Sequence, residues 1–139
     1  MFRIAPTLLI AAALGACAAS APPGDATCAG DTVPAATVQM LFGRAIGAQG
    51  EVGDSEWRDF VATAITPRFP DGLTVIEGEG QFRGASGAVL RERAKIVMIV
   101  VPDAAAAMER IDAIAETYKT RFRQDSVGVV ITPACARFG

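Results

Sequence analysis

The sequence predicts one α+β domain of βαββαβ order, with four antiparallel strands and two helices on one face. Three observations carry this. Short β-rich segments stand near both ends of the domain, two segments of helical periodicity follow the first and third strands, and a tight turn joins the central strands into a hairpin.

Thr37 to Gly43 (TVQMLFG) is rich in β-formers and places Val38, Met40 and Phe42 on one face, which predicts strand one. A loop holding Gly43, Gly47, Gly50 and Gly53 follows and reads as a mobile connection. It lacks the phosphate-loop pattern, and Glu51 and Asp54 would repel an anion. Asp54-Ser55 then offers a helix cap. Trp57, Phe60, Val61, Ala64 and Ile65 recur at helical spacing, and Thr66-Pro67 ends the helix. In the following turn, Asp71-Gly72 reverses the chain and Arg68 is placed to cap the helix's last carbonyls.

Leu73 to Arg83 and Ala88 to Val101 form the hairpin. A three-residue loop, Ala85-Ser86-Gly87, puts Gly87 in the left-handed position and sets Gly84 opposite Ala88. Glu79 then faces Arg93, Glu77 faces Lys95 and Gln81 faces Arg91. A slip of one residue would set Glu79 against Glu92, a like-charge pair that destabilises a ladder. Pro102-Asp103 caps a second helix with Met108, Ile111, Ala115, Tyr118 and Phe122 along its seam and Ile114 beside it. Ser126 to Thr132 is the last strand. Strand, helix, hairpin, helix, strand is the ferredoxin-like pattern, in which the terminal strands are antiparallel neighbours.

The hairpin register sorts side chains onto two faces. One carries Ile76, Gly78, Gly80, Phe82, Leu90, Ala94, Ile96, Met98 and Val100, with Glu92 as its only charge, and is expected beneath the helices. The other carries Leu73, Val75, Val97, Ile99 and Val101 at one end and Glu77, Glu79, Gln81, Arg83, Arg91, Arg93 and Lys95 at the tip. That second face is expected to be open, with Glu77, Glu79, Gln81, Arg91, Arg93, Lys95 and Val97 as the candidate ligand site or homodimer interface. Arg91, Arg93 and Lys95 could hold an anion with Glu77 or Glu79 as acid or base. Cross-strand ion pairing explains the same ladder without chemistry.

Ahead of the domain, Arg3 precedes an apolar run that ends in Leu14-Gly15-Ala16-Cys17. Ile4 to Ala16 would span about 20 Å as a helix, short of a bilayer core of about 30 Å. Residues 1–16 therefore read as an export signal. Leu14 to Cys17 resembles the lipobox of bacterial lipoproteins, which implies a lipid on Cys17. Ala18 after it resembles the pattern sorted to an outer membrane where the host has two. Residues 17–36 are almost entirely small and polar, a lipid-anchored flexible tether, and residues 37–139 are the domain. With Cys17 processed, Cys28 and Cys135 remain, one on each side of the domain. In an oxidising compartment that spacing predicts a disulfide.

The chain has 13 Lys and Arg against 15 Asp and Glu, a net charge of −2, and no histidine. The acid balance argues against nucleic acid as a partner, which needs a surplus of cations. The missing histidine excludes Ser-His-Asp and Cys-His catalysis and zinc-protease motifs. No cofactor, metal or catalytic residue is expected.

The runs Thr66-Pro67-Arg68-Phe69-Pro70-Asp71-Gly72-Leu73-Thr74-Val75, Gly80-Gln81-Phe82-Arg83-Gly84 and Arg91-Glu92-Arg93-Ala94-Lys95 resemble a family of small exported bacterial lipoproteins, domain of unknown function 3574. The resemblance extends from Thr37 to Phe138. Members commonly carry Trp where this chain has Phe82 and Ser where it has Ala94, so no hydroxyl chemistry carries over to position 94. The reading is a lipid-anchored, periplasm-facing envelope protein acting through binding or self-association. The alternative is a small dimeric α/β-barrel-type enzyme with a pocket on the free sheet face.

Overall fold

The computed structural model describes residues 28–47, 50–84 and 86–139. The expected export signal, Cys17 and the first part of the expected tether lie outside them. The chain runs β1 (Val33–Gly43), α1 (Asp54–Phe60, continued by a π-helical turn over Val61–Ile65), β2 (Thr74–Arg83), β3 (Val89–Val101), α2 (Ala104–Phe122) and β4 (Gly128–Ala136). The four antiparallel strands are ordered β2-β3-β1-β4, and both helices pack on one face: the α+β, ferredoxin-like arrangement.

The hairpin register is the one that charge pairing selects. Glu77 faces Lys95, Glu79 faces Arg93 and Gln81 faces Arg91. Gly87 sits at φ +83°, and Gly84 N–H donates to the Ala88 carbonyl at 2.9 Å. Glycine is needed at position 87 because a Cβ is strained in that backbone region.

The helices, however, cover the face expected to be open. Val38 pairs with Ile99 and Met40 with Val97, so β1's apolar stripe shares a side with the odd-numbered residues of β3. Val38, Met40, Phe42, Val97, Ile99 and Val101 are buried with Trp57, Phe60, Ile111, Ile114 and Tyr118 in one core. Burying each such aliphatic or aromatic side chain stabilises by about 1.5–3 kcal/mol. Phe42 anchors the aromatic part, meeting Tyr118 at 4.8 Å and Trp57 at 5.3 Å between ring centroids, both edge-on. Val97 is thus a core residue, and its proposed place at an interface is withdrawn. The open face is instead the even-numbered one of the hairpin, continued by Thr37, Gln39 and Leu41 of β1 and by Val130 and Thr132 of β4.

The strand boundaries also move. β1 begins at Val33, four residues before Thr37, because Val33, Pro34 and Ala35 pair with β4 alone. Pro34 is tolerated there since β3 asks nothing of its missing N–H. β4 reaches Ala136 through Pro133, which an edge strand allows. Cys28 and Cys135 are bonded, with Cα atoms 5.6 Å apart across 107 residues of sequence. Closing a loop of that length removes unfolded-state entropy worth up to about 4.7 kcal/mol. The disulfide thus ties Cys28, inside the stretch expected to be tether, to the domain.

The cap of α2 and the end of the first helix fall where the sequence places them, whereas the expected Asp54-Ser55 cap does not. Asp103 Oδ1 accepts from the Ala106 amide, and Arg68 Nη1 donates to the Ala64 carbonyl at 2.8 Å. In α1, Gly53 takes the cap position, and its N–H donates to Glu56. No described helix is long and apolar enough to cross a membrane.

Candidate functional site

The candidate charges lie on the helix side of the hairpin, where its tip projects beyond the helices. They are not on the open face, because strand parity puts them beside Val97. Lys95 is buried and pairs with Glu77. Arg93 Nη1 lies 3.0 Å from Glu51, with Glu77 at 3.9 Å and Asp54 at 4.0 Å from Nη2. Arg91 donates to the Gln81 side chain at 3.3 Å. Glu79, Gln81, Arg91 and Arg93, with Gly80 and Glu92, line a cavity of about 460 Å³.

Arg44, which the sequence reading passed over, organises this cluster. It is 1% exposed; Nε donates to the Val52 carbonyl at 2.7 Å, and Nη1 stands 2.8 Å from Asp54. Ile46 N–H donates to Gly50, Val52 N–H donates to the Arg44 carbonyl, and Ala45 bridges Glu51. These bonds convert the expected mobile connection into an anchored one, with residues 48 and 49 outside the described set. Three cations, Arg44, Arg93 and Lys95, meet three carboxylates, Glu51, Asp54 and Glu77. The hydrogen bond and charge of Arg44 hold the Asp54 carboxyl below its ordinary range, and Lys95 does the same for Glu77. Cations so matched are committed to their own partners, which leaves little field for an external anion. The signal in the sequence was the pair Glu51 and Asp54 flanking the loop that Arg44 opens.

A second cavity, about 820 Å³, lies on the open face at its hairpin end. Gly43, Gly78, Gly80 and Gly128 leave its floor bare, and Leu41, Phe82, Leu90 and Ile96 supply apolar lining. Glu92 stands among them, half-buried, its Oε2 accepting the Ala45 N–H at 2.9 Å. Beneath, on the helix side, the Tyr118 hydroxyl donates to the Gly43 carbonyl at 2.8 Å, and burial pushes its phenol well above the ordinary value. The four glycines serve different ends. A Cβ at Gly43 would strike the Glu92 carboxylate, and one at Gly128 would come within 3.0 Å of Leu41. At Gly78 and Gly80 the nearest atoms would be 3.9 Å away, ordinary contact, and neither has a positive φ. Nothing in the packing asks for glycine there. Glycine weakens a strand interior by roughly 0.5–1 kcal/mol relative to alanine. Among the described residues no group of His, Cys, Asp and Glu is arranged to hold a metal ion.

Among solved structures, the chain is similar to a phage SAM lyase in complex with S-methyl-5′-thioadenosine, at 14% identity and a TM-score of 0.58, covering 73% of this chain and 88% of that one. The apo form of the phage enzyme gives 16% and 0.55 over 79% and 87%. CutA1 from Oryza sativa gives 16% and 0.48 over 78% and 84%. At these identities the likeness is one of fold. No curated protein matches the chain. Residues 37–138 match the model of the protein family of unknown function DUF3574, and the chain belongs to that family.

Proposed function

We propose that this is a lipid-anchored envelope protein whose domain self-associates through its open sheet face. One observation carries the reading: the face without helices is the apolar one. Ile76 is 44% exposed, Leu90 47% and Phe82 52%, beside Leu41 and Val130. Glu92 is the only charge that the four strands present on that side. An apolar area of this kind marks a contact surface.

The occupant is a second copy. Four strands about 4.8 Å apart and about eight residues long give a face of roughly 500 Å². Stacking two removes on the order of 1,000 Å², the threshold of a stable interface. A two-fold arrangement that crosses the sheets head to tail sets each Glu92 over the uncharged Thr37 and Thr132 end of its mate. A lipid surface fits less well, since interfacial elements flank their apolar side with Lys and Arg and this face presents neither. The tether proposal, with lipid on Cys17 and the domain facing the periplasm, draws support from the Cys28–Cys135 disulfide, which belongs to an oxidising compartment. An outer-membrane address is proposed for a two-membrane host.

Photocrosslinking in intact cells tests both parts. A photoreactive residue at Met98, on the open face, should give an adduct of twice the mass, and one at the exposed Glu116 of α2 should not. Labelled palmitate should enter the wild type and not Cys17→Ser. Adducts from position 98 with lipid or another protein alone, or equal self-adducts from both positions, overturn the association. Palmitate on Cys17→Ser overturns the anchor.

A further inference from the structure

We infer that the groove around Glu92 binds a small organic cation with an apolar body. The groove is built within one chain and shares Leu41, Phe82, Leu90 and Glu92 with the face proposed for self-association, so a small ligand goes beyond that reading and competes with the second copy. Its volume, about 820 Å³, falls in the range of small-molecule sites.

The electrostatics select the ligand's charge. Two acids, Glu92 and Asp125, line the groove and no Lys or Arg does; Glu79 also borders it, but strand parity puts its side chain on the helix side. Glu92 stands in the apolar lining, and among the described residues no cation lies within 4.0 Å of it. The Ala45 amide engages Oε2, both oxygens lie over Gly43 on the floor, and among the described residues Oε1 has no hydrogen-bond donor. A carboxylate held against apolar surface without a counter-ion gains from a cation that brings its own apolar cover. Phe82 places an aromatic ring in the same lining, and aromatic rings attract that charge. A hard metal ion is a poor match, because it asks for six or more oxygen ligands and the site converges on one carboxylate.

The floor selects for bulk. Gly78 and Gly80 have room for a side chain on the groove side, so their bareness keeps space that packing would otherwise fill. Gly43 does the complementary job of letting the Glu92 carboxylate lie down across it.

Saturation-transfer NMR on the oxidised protein tests this with three probes of one shape: 2-phenylethylammonium, neutral 2-phenylethanol and anionic phenylacetate. The ammonium should bind at least fivefold more tightly than either of the others. Glu92→Gln, which keeps an acceptor for Ala45, should weaken it fivefold or more, and Gly80→Leu should abolish it by filling the floor. Circular dichroism confirms that each variant is folded. Met98→Glu lies outside the groove lining and should bind at least as tightly as the wild type, whose groove a second copy would cover; binding by Met98→Glu whatever the wild type's mass separates failure of the two readings. Equal binding of phenylacetate, undiminished binding to Glu92→Gln, or no binding of the ammonium to Met98→Glu would overturn the inference.

Discussion

The carboxylate of Glu92 lies across Gly43, so close that a Cβ at position 43 would stand 2.6 Å from Oε1. Two strands, β3 and β1, thus depend on each other at one point: β3 sends in a charge and β1 omits a side chain to admit it. Gly43→Ala should cost about 1–2 kcal/mol by displacing the carboxylate from the Ala45 amide. In a Glu92→Ala background the same substitution should be neutral or stabilising, because the obstruction is gone and alanine suits a strand better. Urea melts of the four proteins measure the coupling. Additive costs would mean that the two residues do not meet.

Gly78 and Gly80 should behave in the opposite way. Each has space for a methyl group and an ordinary φ, so alanine reduces the freedom of the unfolded chain without strain. Gly78→Ala and Gly80→Ala should each raise stability by about 0.4–1 kcal/mol. A loss in either would show that the strand uses glycine for close packing after all.

The ion cluster sets an acid limit. Asp54 and Glu77 both have folded-state pKa values depressed below their ordinary 3.8 and 4.5, by Arg44 and Lys95 respectively. Their contribution is complete above those ordinary values and is lost as pH falls through the lower folded ones. Asp54→Asn and Glu77→Gln should therefore be less stable than wild type at pH 7, with the gap closing as pH falls below the ordinary values of 3.8 and 4.5. Thermal melts across that window check the sign. A gap that stays constant down to pH 2 would refute the assignment.

Adjacent positions in β3 should respond in contrast. Val97 is fully buried against β1, so Val97→Asp should cost at least about 3 kcal/mol by placing a carboxylate in the core. Met98 points the other way, and Met98→Glu should fold with a melting temperature within a few degrees of wild type. Equal tolerance at both positions would mean the sides are misassigned.

That contrast also shows what was legible in the sequence. The register between β2 and β3 could be read, because a short loop and a charge ladder between near neighbours determine it: Gly87, and Glu77 with Lys95. The side on which the helices pack could not be read from the hairpin alone. Its even-numbered residues are the more apolar, which points the wrong way. The deciding information is the pairing of Met40 with Val97, between strands more than fifty residues apart, which no local turn specifies. The helices cover the sheet from Val101 to about Lys95, where Phe42 and Gly43 meet Trp57 and Tyr118, so the charged tip beyond overhangs them. Of the candidate site, the ladder residues were visible as a group, and Glu92 stood out as a lone charge among apolar neighbours. Arg44 was hidden because a single arginine in a glycine-rich loop reads as solvated until Val52 and Asp54 are folded around it.

Sedimentation equilibrium of the oxidised protein, wild type beside Met98→Glu, tests the central claim that the helix-free face mates with its own kind. The wild type should approach twice the monomer mass as concentration rises through the micromolar range, and Met98→Glu should stay monomeric with an unchanged circular dichroism spectrum. A wild type that remains monomeric at millimolar concentration, or a Met98→Glu variant that dimerises as readily, would contradict it.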